Sequence, residues 1–258
     1  LPGGIFLCTG EGAHAAQTDV ACLQSSSSWA AVEVAFRDQL CAGSGTSCAL
    51  RDQLKGFLLT HRGLLAAPNA PLVTTILNIL NADRWRAARH VPQLALGHSI
   101  GEVAAAYVAE LLSIGDAIRT ASILGEVGSQ CDGAIMHVRF TSSELNGFDD
   151  GVLRVAAING LASKSEDPLC KPLLSVTLCS SSQERVHAWL AAHPSAKRLL
   201  PPHPWHHPDY LDVFGVHDGS VFAALPEGHT PGAKAATLVS ATTAQRVEQL
   251  DVAHWRAW

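Results

Sequence analysis

Six consecutive residues, Gly97-His98-Ser99-Ile100-Gly101-Glu102, constrain this 258-residue chain more than any other feature. They stand between a short apolar run, Pro92 to Leu96, and the helix-forming stretch Val103 to Val108. A strand, a tight glycine turn and a helix, in that order, hold a serine out at a sharp elbow. Glycines on both sides let neighbouring backbone pass close to the serine without Cβ clashes. A helix that begins directly behind it aims N–H groups and a positive dipole end at charge developing on a reacting group. The G-x-S-x-G pattern alone is weak, since common residues build it by chance; its place between strand and helix gives it weight.

A serine hydroxyl needs a base to act as a nucleophile near neutral pH. Thirteen histidines compete for that role. His98 adjoins Ser99, and in an extended segment its side chain points the other way. The best cluster is His203-Pro204-Trp205-His206-His207, within the His- and Pro-rich loop from Pro201 to Pro208. The default state of a single loop histidine is nevertheless solvated surface.

The rest of the chain alternates helix and strand signals. Ile5 to Thr9 reads as a strand ended by Gly10-Glu11-Gly12. Residues 29–60 read as helical, broken at Ala42 to Ser47, and Pro71 sits in the first turn of a helix running to about Arg86. A further helix covers Gly115 to Val127. Beyond Gly133, strand-like runs (Ala134 to Val138, Val152 to Ile158, Leu174 to Cys179, Ala196 to Leu200) enclose one clear helix, Gln183 to Ala192. That alternation predicts a small α+β subdomain, 131–200, inserted into a larger one made of 1–130 and 201–258.

Composition narrows the function. Hydrophobic residues make up 47% and charged residues 16%, which predicts a substantial core. A net charge of −5 with no basic run argues against nucleic acid as the main partner. No apolar run reaches the roughly 20 residues needed to cross a bilayer, so no membrane partner is expected. The seven cysteines include no C-x-x-C pair, which predicts no metal site and a cytoplasmic or other reducing intracellular compartment. Without Met or a signal pattern at Leu1, and stopping at Trp258, the chain reads as a piece of something longer.

Gly97 to Glu102 resembles the G-H-S-x-G-E motif of malonyl and acyl transferases from fatty-acid and polyketide synthases. Phe6 to His14 is similar to their F-x-F-x-G-Q-G-x-Q, Gly133-Ala134-Ile135-Met136 to G-A-M, and Ala157-Ile158-Asn159-Gly160 to A-V-N-G. His203 to His206 resembles H-A-F-H, whose last histidine is the base in that family. Leu238-Val239-Ser240 and Leu250 to Trp255 resemble the late L-V-S and L-D-A-x-Y-W patterns. The resemblance implies an α/β fold: a hydrolase-like large subdomain with a short parallel sheet, plus an inserted ferredoxin-like small subdomain, with the acyl group held between them.

It also implies roles. Ser99 becomes acylated from a coenzyme A thioester, His206 serves as base, and the backbone N–H groups of Glu11 and Ile100 form the oxyanion hole. His98, His203, Trp205 and Leu124 border the substrate. The acceptor is the phosphopantetheine thiol of an acyl carrier protein, other synthase domains are further partners, and no cofactor stays bound. His207 remains the alternative base.

Several positions depart from the family pattern. Glu11 and His14 replace glutamines, and a segment around Lys164 to Pro172 is extra. Leu124, before Gly125, stands where transferases of carboxylated acyl groups carry a carboxylate-binding arginine. Arg119, earlier on that helix, is no obvious substitute, so leucine favours a neutral acyl group. Ile100 and Trp205 instead resemble residues that select malonyl over methylmalonyl groups. Two further functions stay open, a hydrolase of carrier-bound thioesters and a non-catalytic docking domain. A generic α/β-hydrolase would need an acid such as Asp149, Asp150 or Asp167.

Overall fold

The computed structural model of the chain describes residues 4–11, 19–40, 50–52, 54–55, 68–148, 151, 153–163, 173–199, 203–215 and 219–258. The expected helix break at Ala42 to Ser47, His14, the extra segment at Lys164 to Pro172, and Asp149, Asp150 and Asp167 lie outside those residues. The chain divides into two compact units, Leu1–Val127 with Phe214–Trp258, and Gly128–Val213.

The first unit is built on a short sheet. Its strands are β1 (Gly4–Cys8), β2 (Pro92–Gly97), β7 (Thr237–Val239) and β8 (Arg246–Val247), in that spatial order. β1, β2 and β7 run parallel, and β8 is antiparallel to β7. Cys8 pairs with Gly97, and Leu96 with Val239, so three strands end side by side. The segments leaving these three strands therefore meet at one end of the sheet, where ligands of open α/β sheets bind.

Between β1 and β2 lie α1 (Val20–Leu23), α2 (Trp29–Leu40) and α3 (Asn69–Ala87). α3 is buried from Ala70 to Leu77 without a break. Near its end the buried Asp83 accepts hydrogen bonds from Tyr107 at 2.6 Å, from Ser28, and from Arg86 at 3.0 Å. Tyr107 belongs to α4 (Gly101–Val108), so this acid clamps α3 to the helix behind the glycine turn. Burial, with the Asp83 carboxylate beside it, pushes the Tyr107 phenol up to about 12. α5 (Ile114–Gly128) follows, and α8 (Ser220–Ala223) and α9 (Val252–Ala257) flank the late strands.

The second unit contains β3 (Ala134–Thr141), α6 (Ser142–Asn146), β4 (Arg154–Ser163), β5 (Leu173–Ser180), α7 (Gln183–Ala192) and β6 (Lys197–Arg198). Their spatial order is β4-β5-β3-β6, with every neighbour antiparallel. This β-α-β-β-α-β arrangement is ferredoxin-like, as the family resemblance implies. Alternate residues of β3 (Ala134, Met136, Val138, Phe140) pack with Val176 and Leu178 of β5 and Val186 of α7.

Its limits are wider than the expected 131–200. The His-rich loop, assigned from sequence to the large subdomain, is tied into this unit. His203 Nδ1 meets the Cys131 carbonyl at 2.9 Å, and the Tyr210 hydroxyl donates to the Asp132 carbonyl. Trp205 lies so close to Gly128 that a Cβ there would stand 2.7 Å from its ring. Proline and histidine content marks a loop; it carries no information on which body the loop packs against.

Candidate active site

The glycine turn continues the sheet before it bends. His98 N–H donates to the Cys8 carbonyl at 2.9 Å, extending the β1–β2 pairing by one residue. Then Gly101 N–H bonds His98 O at 3.0 Å, Glu102 N–H bonds Ser99 O at 2.8 Å, and Val103 N–H bonds Ile100 O at 3.2 Å. Ser99 sits at the apex with φ of 51°, a left-handed conformation that strains a residue with a Cβ. The Ser99 side chain is half-buried, His98 is exposed and Ile100 is fully buried.

The flanking glycines are required by contact. A Cβ at Gly97 would stand 2.1 Å from Glu102 N, and one at Gly101 would stand 2.3 Å from Cys8 O. α4 therefore starts against the end of β1, with its N-terminus at Ser99.

The loop after β1 reaches the same place. A Cβ on Gly10 would stand 2.8 Å from His98 O and 3.5 Å from Ser99 Cβ. Asn78 of α3 pins this loop from below: Asn78 Nδ2 donates to Thr9 O at 2.9 Å, and Thr9 N–H donates to Asn78 Oδ1 at 3.2 Å. Sequence reasoning did not single out Asn78; its signal is an amide within the apolar run Ile76 to Leu80. Glu11 Oε1 is buried without a hydrogen-bond partner among the described residues. Burial raises its carboxyl from 4.5 to about 8, so it is largely neutral at pH 7.

Leu124 lies fully buried on α5, and Arg119 is exposed on the same helix. Gly125 lets α5 approach Pro68, whose carbonyl would meet a Cβ at 2.4 Å. In the second unit, His203, Trp205 and His207 are buried, whereas His206 is exposed. His207 Nδ1 accepts the Asp209 N–H at 3.2 Å and so caps a short 3-10 turn, Pro208–Tyr210. Thus Ser99, His98, Ile100 and the Gly10-Glu11 loop converge within the first unit, while His203, Trp205 and His206 share one loop of the second.

No family model matches the chain. Among curated proteins it is similar to the pikromycin polyketide synthase component PikAII of Streptomyces venezuelae, 36% identical over 110 residues, 36% of this chain and 3% of that protein. Among solved structures it is similar to the acyltransferase domain from the second module of the salinomycin polyketide synthase. There the TM-score is 0.70 at 26% identity, covering 98% of this chain and 56% of that one. The malonyl-CoA:ACP transacylase of Synechocystis sp. PCC 6803 gives a TM-score of 0.71 at 15% identity, covering 98% and 78%.

The chain has the acyltransferase fold of polyketide synthases. It spans only a small part of its curated relatives, 3% of PikAII, and 56% of the salinomycin domain. Within that fold, the turn at Ser99 combines a serine at positive φ, a helix N-terminus behind it and a second backbone loop against it. Among the described residues no cluster of His, Cys, Asp or Glu could hold a metal ion. Nor is any described helix long and apolar enough to cross a membrane. Cys8, Cys131 and Cys179 are buried free thiols that burial pushes up to about 12, which keeps them protonated and unreactive.

Proposed function

We propose that the chain is an acyltransferase that moves an acyl group from coenzyme A, through acyl-Ser99, to the phosphopantetheine thiol of an acyl carrier protein. The observation that carries this reading is Ser99 at φ of 51° on the turn into α4. Ser99 Oγ attacks the thioester carbonyl while His206 takes its proton, and the coenzyme A thiolate leaves with that proton. The carrier thiol, deprotonated by the same histidine, then attacks the acyl-serine and restores Ser99. The backbone N–H groups of Ile100 and Glu11 receive the oxyanion at each step, each donor contributing a few kcal/mol in the transition state.

His206 is preferred to His207 as base because His207 is buried and its Nδ1 is occupied in capping the turn at Pro208. His203 and Trp205 shape the wall beside the base, and His98 borders the elbow. The Gln-to-Glu change at position 11 is tolerated because the buried carboxyl is largely neutral at pH 7 and adds little charge beside the oxyanion. Leu124 offers an acyl carboxylate no counter-charge, so the acyl group is neutral. The chemistry needs no bound cofactor. The chain works in a reducing intracellular compartment beside other synthase domains.

The test is incubation with neutral acyl-CoA and a holo carrier protein, following carrier acylation and free coenzyme A together. Ser99-dependent acylation of the carrier supports the reading. Equal release of coenzyme A and free acid, without acyl carrier, would make the chain a hydrolase. No turnover of any donor would make it a docking domain.

A further inference from the structure

Glu102 is fully buried in the first turn of α4. Its Oε2 accepts the Ala241 N–H at 3.4 Å, from the turn after β7. Its Oε1 lies 3.1 Å from Nε2 of His254, a side chain only 11% exposed. Neither of those two buried atoms has a hydrogen-bond partner elsewhere among the described residues, so each is the other's nearest polar neighbour. α9 holds His254 there firmly: Trp255 and Leu250 are buried, and Asp251 Oδ1 accepts the His254 N–H at 2.8 Å.

A buried carboxylate needs compensation, and removing its partner is costly. The position gives the compensation a second consequence. Glu102 N–H is bonded to Ser99 O, and its nitrogen lies against Gly97, so this buried acid is part of the glycine turn. An uncompensated anion in the first turn of α4 would also offset the positive helix end facing an oxyanion.

We propose that His254 is a positioning residue: its ring, set against the buried Glu102 carboxyl, fixes the first turn of α4 behind Ser99. A tyrosine stands at this place in the L-D-A-x-Y-W pattern, so the Glu102–His254 contact is a feature of this chain. The effect on rate rests on the proposed role of Ser99, whereas the effect on backbone order does not.

The experiment compares the whole chain with His254→Gln, Glu102→Gln and the double variant. Amide hydrogen exchange is followed in peptides covering 97–103, with 134–141 as internal reference, and Ser99 labelling by a fluorophosphonate is timed by mass. His254→Gln is expected to speed exchange at 97–103 and slow labelling by about tenfold each, and the double variant to return both to within about threefold of wild type. Unchanged exchange at 97–103 in His254→Gln, equal acceleration in both regions, or no recovery in the double variant overturns the proposal. If wild-type Ser99 is not labelled, the nucleophile assignment fails, and the exchange comparison still decides the role of His254.

Discussion

Gly101 presses against the end of β1: a Cβ at Gly101 would stand 2.3 Å from the Cys8 carbonyl oxygen and 2.7 Å from that of Thr9. Backbone atoms at a strand end cannot move aside as a flexible side chain can. Gly101→Ala is therefore expected to destabilise the chain by about 1–3 kcal/mol and to displace Ser99. Urea unfolding measures the first effect and fluorophosphonate labelling the second.

Ser99 makes the opposite prediction for stability. A left-handed conformation costs a residue with a Cβ about 1–2 kcal/mol, and glycine gives back about 0.4–1 kcal/mol in unfolded-chain entropy. Ser99→Gly should therefore stabilise the fold by up to about 1.6 kcal/mol, while Ser99→Ala keeps the strain and leaves stability nearly unchanged. Both variants should lose acylation. Thermal unfolding of the two side by side tests the strain directly.

Much of this elbow was legible in the sequence because its causes are local. Pro92 to Leu96, the two glycines and the helix formers after Gly101 each act within a few residues, and β2 and α4 form where they predict. Helices at Gly115 to Val127 and Gln183 to Ala192 were equally plain, and α5 and α7 match them to within a residue. The cap of α6 was legible and overlooked: Thr141 to Glu144 is a T-x-x-E capping box. The pairing of Glu102 with His254 and the seating of the His-rich loop in the second unit depend on residues far apart in sequence. Nothing local encodes them.

Glu11 sets a pH dependence. Its folded-state pKa of about 8 lies above the ordinary 4.5, so the folded chain holds the proton more tightly than the unfolded one. The stability this contributes is complete below 4.5 and is lost as pH rises to about 8. Relative to Glu11→Gln, wild type should weaken steadily across that interval and run parallel above it. Denaturation of both proteins from pH 5 to pH 9 checks the sign. Labelling of Ser99 should also fall above about pH 8 in wild type and less so in the variant.

The two adjacent histidines separate by role. His206→Ala is expected to lower acyl transfer by about 10²–10⁴-fold with little change in stability. His207→Ala removes the cap on Pro208–Tyr210 and should cost about 1 kcal/mol of stability while retaining most activity. Unfolding and steady-state transfer rates for the pair decide between them, and the reverse pattern would assign the base to His207.

The most direct measurement is intact-protein mass after incubation with acetyl-, longer acyl- and malonyl-CoA, for wild type and Ser99→Ala. A neutral acyl adduct on wild type, absent from Ser99→Ala and absent with malonyl-CoA, is the predicted result. An adduct that survives Ser99→Ala would contradict acyl-Ser99 as the intermediate, and a malonyl adduct would contradict the role given to Leu124.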